Sequence, residues 1–269
     1  MNRKYFLPIV LLSFFVLCNA ATPKSLDYWT QSNEASTEII DHSAFENFLA
    51  TYVVKSSDNI NLVNYKNVTN KEKTNLAEYI HYLENIKITN YSKAEQFPYW
   101  INLYNAVTIQ LIINNYPVTS IKKIKASFGL FSSGPWDDQL VVVEGNELSL
   151  NDIEHRILRP IFKDKRIHYA VNCASLGCPN IQEEVFTSSN LENQLDKAAR
   201  EYINHNRGVE ILNGKLYLSS IYKWYDEDFG SKEELIKHLS FYADPILATK
   251  LAEPFKQIKY RYNWDLNEL

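Results

Sequence analysis

The sequence predicts an α+β fold, a single domain in which a buried central helix packs on a small, mainly antiparallel sheet. Three observations predict it. Residues 99–115 are apolar on nearly every side and stop before Pro117, the pattern of a helix enclosed by the rest of the core. Two short turns, Glu144-Gly145-Asn146 and Asn213-Gly214, separate brief apolar runs and read as β-hairpins. Amphipathic helical patterns recur on either side of them, and after residue 40 there is no repeat, low-complexity tract or linker. With 269 residues, 45% of them hydrophobic, the chain is long enough for a proper core and is neither collagenous nor disordered in composition. Lys plus Arg number 28 against 32 for Asp plus Glu, a net charge of −4 that does not suggest a nucleic-acid partner.

Arg3 and Lys4 precede an apolar run from Tyr5 to Leu17, followed by Ala20 and Ala21. A basic start, a short apolar stretch and small residues at the exit are the parts of a secretory signal peptide, assigned to residues 1–20. The run is too short for a bilayer-spanning helix, which takes about 20 apolar residues. Leu17 argues against lipidation of Cys18, since lipoprotein processing wants a small residue there. The chain is therefore expected to be periplasmic or secreted, with no membrane span after processing. The mature chain would have a charge of −6 and two cysteines, Cys173 and Cys178. Export exposes that pair to an oxidising compartment, so a Cys173–Cys178 disulfide is one expectation.

Residues 21–40 read as a tether and 41–269 as the domain. Ala44, Phe45, Phe48, Leu49 and Tyr52 recur at helical spacing, with Asp41 or Ser43 as cap; 60–65 reads as extended. A polar helix over 71–86 places Leu76, Tyr79, Ile80 and Leu83 on one face. Asn102 and Asn105 are the polar exceptions on the central helix, three apart and so on one side. Ser149 caps a helix from Leu150 to Arg159, with Pro160 at its exit. Residues 166–172 read as a strand entering the turn 173–179. A helix over 191–204, a hairpin at Asn213-Gly214, a helix over 232–242 and an extended tail from Pro254 complete the chain.

Four stretches, Phe97–Ala106, Leu148–Arg159, Arg166–Pro179 and Ile221–Phe229, occur in this order, and together they resemble the family called domain of unknown function 547 over roughly residues 60–230. The resemblance implies kinship and no particular chemistry. The polar residues in the matching motifs are Asn102, Asn105, Glu154, His155, His168, Asn172, Cys173 and Cys178.

A thiol, two imidazoles, a carboxylate and several amides are the ingredients of cysteine-dependent acyl transfer. Cys173 is the candidate nucleophile. His168 lies five residues upstream; on a strand that is about 16 Å and the opposite face. His155 is therefore favoured over His168 as base, with Glu154 as orienter and Asp228 as a further candidate orienter. Asn102, Asn105 and Asn172, with backbone N–H groups of the turn, are candidates to hold the oxyanion or bind substrate. The same asparagines could instead satisfy buried backbone groups. Four residues separate His168 from Cys173 and Cys173 from Cys178, unlike the tight hooks of zinc sites, so no metal is expected. Nucleotide, serine-hydrolase and zincin motifs are lacking, so no cofactor is expected. The expected function is an exported cysteine-dependent amide hydrolase or acyltransferase on a small peptide-like substrate. The alternative is a non-catalytic envelope module that binds a peptide or cell-wall fragment, with Cys173–Cys178 a structural disulfide.

Overall fold

The structure, a computed structural model, describes residues 26–125, 134–255 and 257–269. The signal-peptide assignment on 1–20 and Cys18 lie outside the described residues. The fold is α+β, with strands spread over three small sheets instead of one.

At its centre is α4 (Lys93–Asn115), buried without a break from Glu95 to Ile109. It begins six residues before the predicted start because the helix tolerates Pro98 near its N-terminal end, at the cost of one backbone hydrogen bond. The central helix rests mainly on other helices. α3 (Asn70–Glu84), capped by Thr69, presents Leu76, Tyr79, Ile80 and Leu83 as predicted. α2 (Ser43–Tyr52) packs behind α3. Across α4 lies a π-helix, Asp152–Phe162, which stacks Phe162 on Phe97 with ring centroids 4.3 Å apart. Helical backbone thus continues through Pro160, where an exit was expected. The wider π turn buries Ile153, Glu154, Ile157 and Leu158 together and leaves His155 half-buried.

The strands pair as β1 (Val53–Lys55) with β2 (Asn61–Val63) and β3 (Val141–Val143) with β4 (Asn146–Leu148), both antiparallel. In the third sheet β5 (Val209–Leu212) and β6 (Lys215–Ser219) form the Asn213-Gly214 hairpin, and β7 (Ile258–Arg261) joins β6 in parallel. Both two-residue turns, Glu144-Gly145 and Asn213-Gly214, have φ positive throughout, the hairpin geometry that favours Asn and Gly. α6 (Leu191–Ile203) and α9 (Lys232–Tyr242) lie where periodicity placed them, α9 with a Ser231–Glu234 capping box, and between them come two single helical turns, α7 (Ile221–Trp224) and α8 (Asp226–Phe229).

Residues 26–40 correct the expectation of a tether from 21 to 40. A helical turn, α1 (Leu26–Trp29), buries Trp29, and Ile40 is buried with it. Lys93 Nζ donates to Trp29 O, Gln96 Nε2 to Gln31 O, and the Ile40 N–H to Glu95 Oε1. The segment is held by side chains at the start of α4, an anchorage that leaves no periodic signal.

Two apolar clusters make up the core. The larger surrounds α4; the smaller joins α6, the third sheet and the C-terminal helices. Between them runs one turn of helix, α5 (Ile167–Ala170), with Ala170 in the first cluster and Tyr169 in the second. Among the described residues no helix is long and apolar enough to cross a membrane.

Burial brings two histidines down to a pKa of about 4: His42, bonded to Tyr79 Oη at 2.6 Å, and His238, bonded to Tyr169 Oη at 2.9 Å. Their folded values lie below the unfolded 6.5, so the stability they contribute is present above pH 6.5 and is lost as pH falls towards 4. We expect acid to cost about 2–3 kcal/mol for each over that window. Melting temperature against pH checks this, and His42→Gln with His238→Gln should flatten the slope.

Candidate active site

The site begins where α5 ends. Ile167–Ala170 is a helical turn, not the predicted strand, so the strand-parity argument that ranked His155 above His168 does not apply. Asn105 on α4 clamps the exit from this turn. Its Nδ2 donates to Ala170 O (2.9 Å), and its Oδ1 accepts from the Asn172 N–H (2.8 Å). Asn172 then closes the following loop, accepting from the Ala174 N–H (2.8 Å) and donating to Pro179 O (2.7 Å). Asn102 does the same for Phe186, bonding both its carbonyl and its N–H. All three amides are spent on buried backbone and none lines the cavity, which removes them as direct substrate or oxyanion ligands.

The C-terminal tail lies along this loop. Leu176 N–H donates to Asp265 O and Gly177 N–H to Asn263 O, both at 2.8 Å, and Asn267 N–H donates to Ala174 O. Gly177 is required here, because a Cβ at that position would stand 2.8 Å from both N and O of Asn263. These contacts also consume the backbone N–H groups of 176 and 177, while those of 173, 174 and 178 bond within the loop. They are not free to hold an oxyanion.

The tail delivers Tyr262 to the cysteines. Both are free thiols, Cys173 half-buried and Cys178 buried. Tyr262 Oη lies 3.1 Å from each sulfur, and Ser175 Oγ lies 3.3 Å from Cys173 Sγ. The Cys173 N–H donates to Cys178 Sγ at 3.0 Å. Burial alone would raise Cys178, but hydrogen bonds from the Cys173 thiol, Tyr262 and the Cys173 N–H outweigh it and bring its pKa down to about 6. Its hydrogen bond to Cys178, together with burial, pushes Cys173 well above the ordinary thiol value. The pair therefore releases one proton readily and holds the second.

His168 is a second centre in the same cavity. Its ring stacks on Tyr225 at 4.0 Å, and Nε2 bonds Asp228 Oδ2 at 2.6 Å. Nδ1 is buried without a hydrogen bond and faces Glu154 Oε1 at 3.9 Å. Asp228 also accepts from Arg159 Nε at 2.5 Å. Burial would raise the Asp228 carboxyl, yet these two hydrogen bonds hold it well below the usual carboxylate range. Burial and the neighbouring Glu154 push Tyr225 above the usual phenol value.

The cavity has a volume of about 630 Å³, within the range of small-molecule sites. Cys173, Cys178, His168 and Glu154 all line it, so four of the predicted site residues come together. His155 does not line it; its Nδ1 lies 3.2 Å from Arg159 on the π-helix, and no imidazole bonds Cys173. That corrects the pairing of His155 with Cys173 as base and nucleophile. Asp228 stands behind His168, an orienting position. Sequence reasoning missed Tyr104, Tyr262, Trp136 and Trp264, which line the cavity with Trp224 and Tyr225. Tyr104 adjoins a quoted motif asparagine, and Tyr260, Tyr262 and Trp264 alternate along the tail, which were the available signals.

Fold and site together define an α+β chain with a thiol pair and a carboxylate-held histidine in one cavity. Residues 88–203 match the family model described as protein of unknown function, DUF547, so the chain resembles that family across α4, the β3–β4 hairpin, the π-helix, the cysteine loop and α6. The match is shorter than the predicted 60–230 and leaves Tyr225, Asp228 and Tyr262 outside it. No curated protein and no solved structure matches the chain.

Proposed function

We propose that this cavity carries out cysteine-dependent acyl transfer, as an amide hydrolase or acyltransferase acting on a small peptide-like substrate in an exported protein. The observation that carries it is the pair of free thiols, both within reach of Tyr262 Oη and opening on the same cavity as His168; the hydrogen bonds to Cys178 that lower its pKa support it. Proton exchange along the hydrogen bond between the sulfurs moves the charge from Cys178 to the more accessible Cys173, so no imidazole is needed to generate the thiolate. Attack of Cys173 on the amide carbonyl forms a C–S bond and an oxyanion. The proton given up by the thiol pair is taken up at Nδ1 of His168, whose Nε2–H is held by Asp228; collapse breaks the C–N bond and the departing amine takes that proton from Nδ1. Water, or an acceptor amine or alcohol, then cleaves the thioester and returns the thiol. Tyr104 supports the oxyanion role: it is on α4 and it lines the cavity beside the cysteines. Export rests on residues 1–20; an N-terminus at Ala21 or Thr22, read by mass spectrometry of protein recovered from the envelope or medium, is the expected outcome.

The test is turnover of a panel of small amides by the purified protein. Activity that Cys173→Ala abolishes and Tyr104→Phe lowers about 10²-fold in kcat supports the proposal. Turnover that is unchanged in Cys173→Ala contradicts it. A non-catalytic envelope module is the second reading, favoured by three partly exposed tryptophans at the cavity. It requires ligand binding that survives Cys173→Ala, with no turnover by either protein.

A further inference from the structure

The chain has five tryptophans, and two of them, Trp29 and Trp100, are buried in the core. The other three, Trp136, Trp224 and Trp264, are partly or largely exposed, and all three line the cavity. They touch one another: Trp224 and Trp264 stack with centroids 5.5 Å apart, and Trp136 meets Trp264 edge-on at 5.6 Å. Tyr262 closes the group at 4.6 Å from Trp264. A solvent-facing aromatic cluster of this kind is costly to leave uncovered and marks a place for a ligand.

The charged side chains that line the cavity are acidic. Glu154 and Asp137 line the cavity, as does the ionisable thiol pair, while no Lys or Arg is among the described residues that line it. Nearby cations are already committed: Arg159 to Asp228, Arg156 to Asp152. Asp137 is exposed beside Trp136, and its carboxylate accepts from Asn151 Nδ2 at 2.7 Å. Deeper in, the buried Nδ1 of His168 has no hydrogen bond. One face of Trp264 carries a cation from the chain itself, with Lys122 Nζ 4.9 Å from the ring centroid. That face of Trp264 already serves as a cation site, and the remaining aromatic faces, with carboxylates at the lining, attract an organic cation and repel an anion.

We infer that the Trp136–Trp224–Trp264 wall is a subsite for an ammonium-bearing group of the ligand, with Asp137 as its counter-charge. It rests on the proposed acyl transfer only in naming this ligand as the substrate; the binding itself needs no chemistry. A neutral sugar, which also stacks on tryptophan, is disfavoured because it would leave the carboxylates unanswered.

The probe is choline chloride, titrated into the full chain while tryptophan emission is followed at constant ionic strength. Its uncharged carbon isostere 3,3-dimethylbutan-1-ol and N-acetylglucosamine serve as comparisons. Saturable binding of choline, about tenfold tighter than the isostere, is expected. Asp137→Asn and Trp224→Leu, both at exposed positions, should each weaken choline several-fold and leave the isostere unchanged. Equal affinity for choline and the isostere, tighter binding of the sugar, or no choline binding by folded protein would overturn the subsite. Since the readout does not involve turnover, those results leave acyl transfer standing if Cys173→Ala abolishes amide cleavage. Conversely, choline selectivity without any turnover would retain the subsite and remove the enzyme.

Discussion

Asp228→Asn should destabilise the protein by about 2–3 kcal/mol and lower kcat far more than KM. Asp228 is the shared partner of His168 and Arg159, whose side chains are 1% and 20% exposed. Removing one partner from a buried pair costs about 3–5 kcal/mol, because the remaining charge stays desolvated; Asp228 is itself 27% exposed, which places the cost below that range. For a chain of this length the melting temperature should fall by roughly 5–10 °C. The catalytic loss follows from the ring. With Asp228 accepting from Nε2, His168 is fixed with Nδ1 towards the cavity; an amide in its place permits the wrong tautomer. A triad aspartate replaced in this way costs about 10⁴-fold in known cases. Melting curves and steady-state kinetics on the same preparation separate the two effects, because a merely structural role would lower the folded fraction without changing kcat per folded molecule.

Cys178→Ala should move the titration of the remaining thiol upwards by about three units or more. Cys173 would lose the partner that takes the charge and would remain half-buried, so its pKa stays at or above the ordinary thiol range. At pH 7 the thiolate fraction should drop about 100-fold. The alkylation rate should fall by less, roughly 3- to 6-fold, because a more basic thiolate is also a better nucleophile. The midpoint of the pH profile is therefore the cleaner readout. Cys173→Ala tests the reverse dependence: Cys178 keeps the Tyr262 hydroxyl and the residue-173 N–H but loses the Cys173 thiol as donor, so its midpoint should rise from about 6.

How much of this was legible depends on the kind of signal. α3, α6 and α9 were readable because their apolar faces repeat at helical spacing, and the hairpins because Asn-Gly and Glu-Gly turns need positive φ. The burial of α4 was readable from composition, but its start was not, since Pro98 argues locally for a boundary that tertiary packing overrides. The same competition misled at 166–172. Its β-branched and aromatic residues suit a strand, yet this short segment lies between two apolar clusters and is held in a helical turn by Asn105. Motif content singled out Cys173, Cys178, His168 and Glu154, which the fold brings to one cavity. It could not separate His155 from Glu154, neighbours that the π-helix sends in different directions. Nor could it reveal Trp264 or Tyr262; the latter reaches the cysteines because Gly177 lets the tail approach closely, a contact across about 85 residues with no local pattern.

The central claim is that Cys173 and Cys178 form an open, hydrogen-bonded thiol pair with one proton lost near neutral pH. Iodoacetamide labelling of the folded, unreduced protein between pH 4 and 10, with the modified residues mapped by mass spectrometry, tests it most directly. The account predicts two free thiols, one equivalent reacting with a rate midpoint near pH 6, and the second resisting until well above pH 9. A single midpoint between pH 8 and 9 for both thiols, or no labelling until a reductant is added, would contradict it.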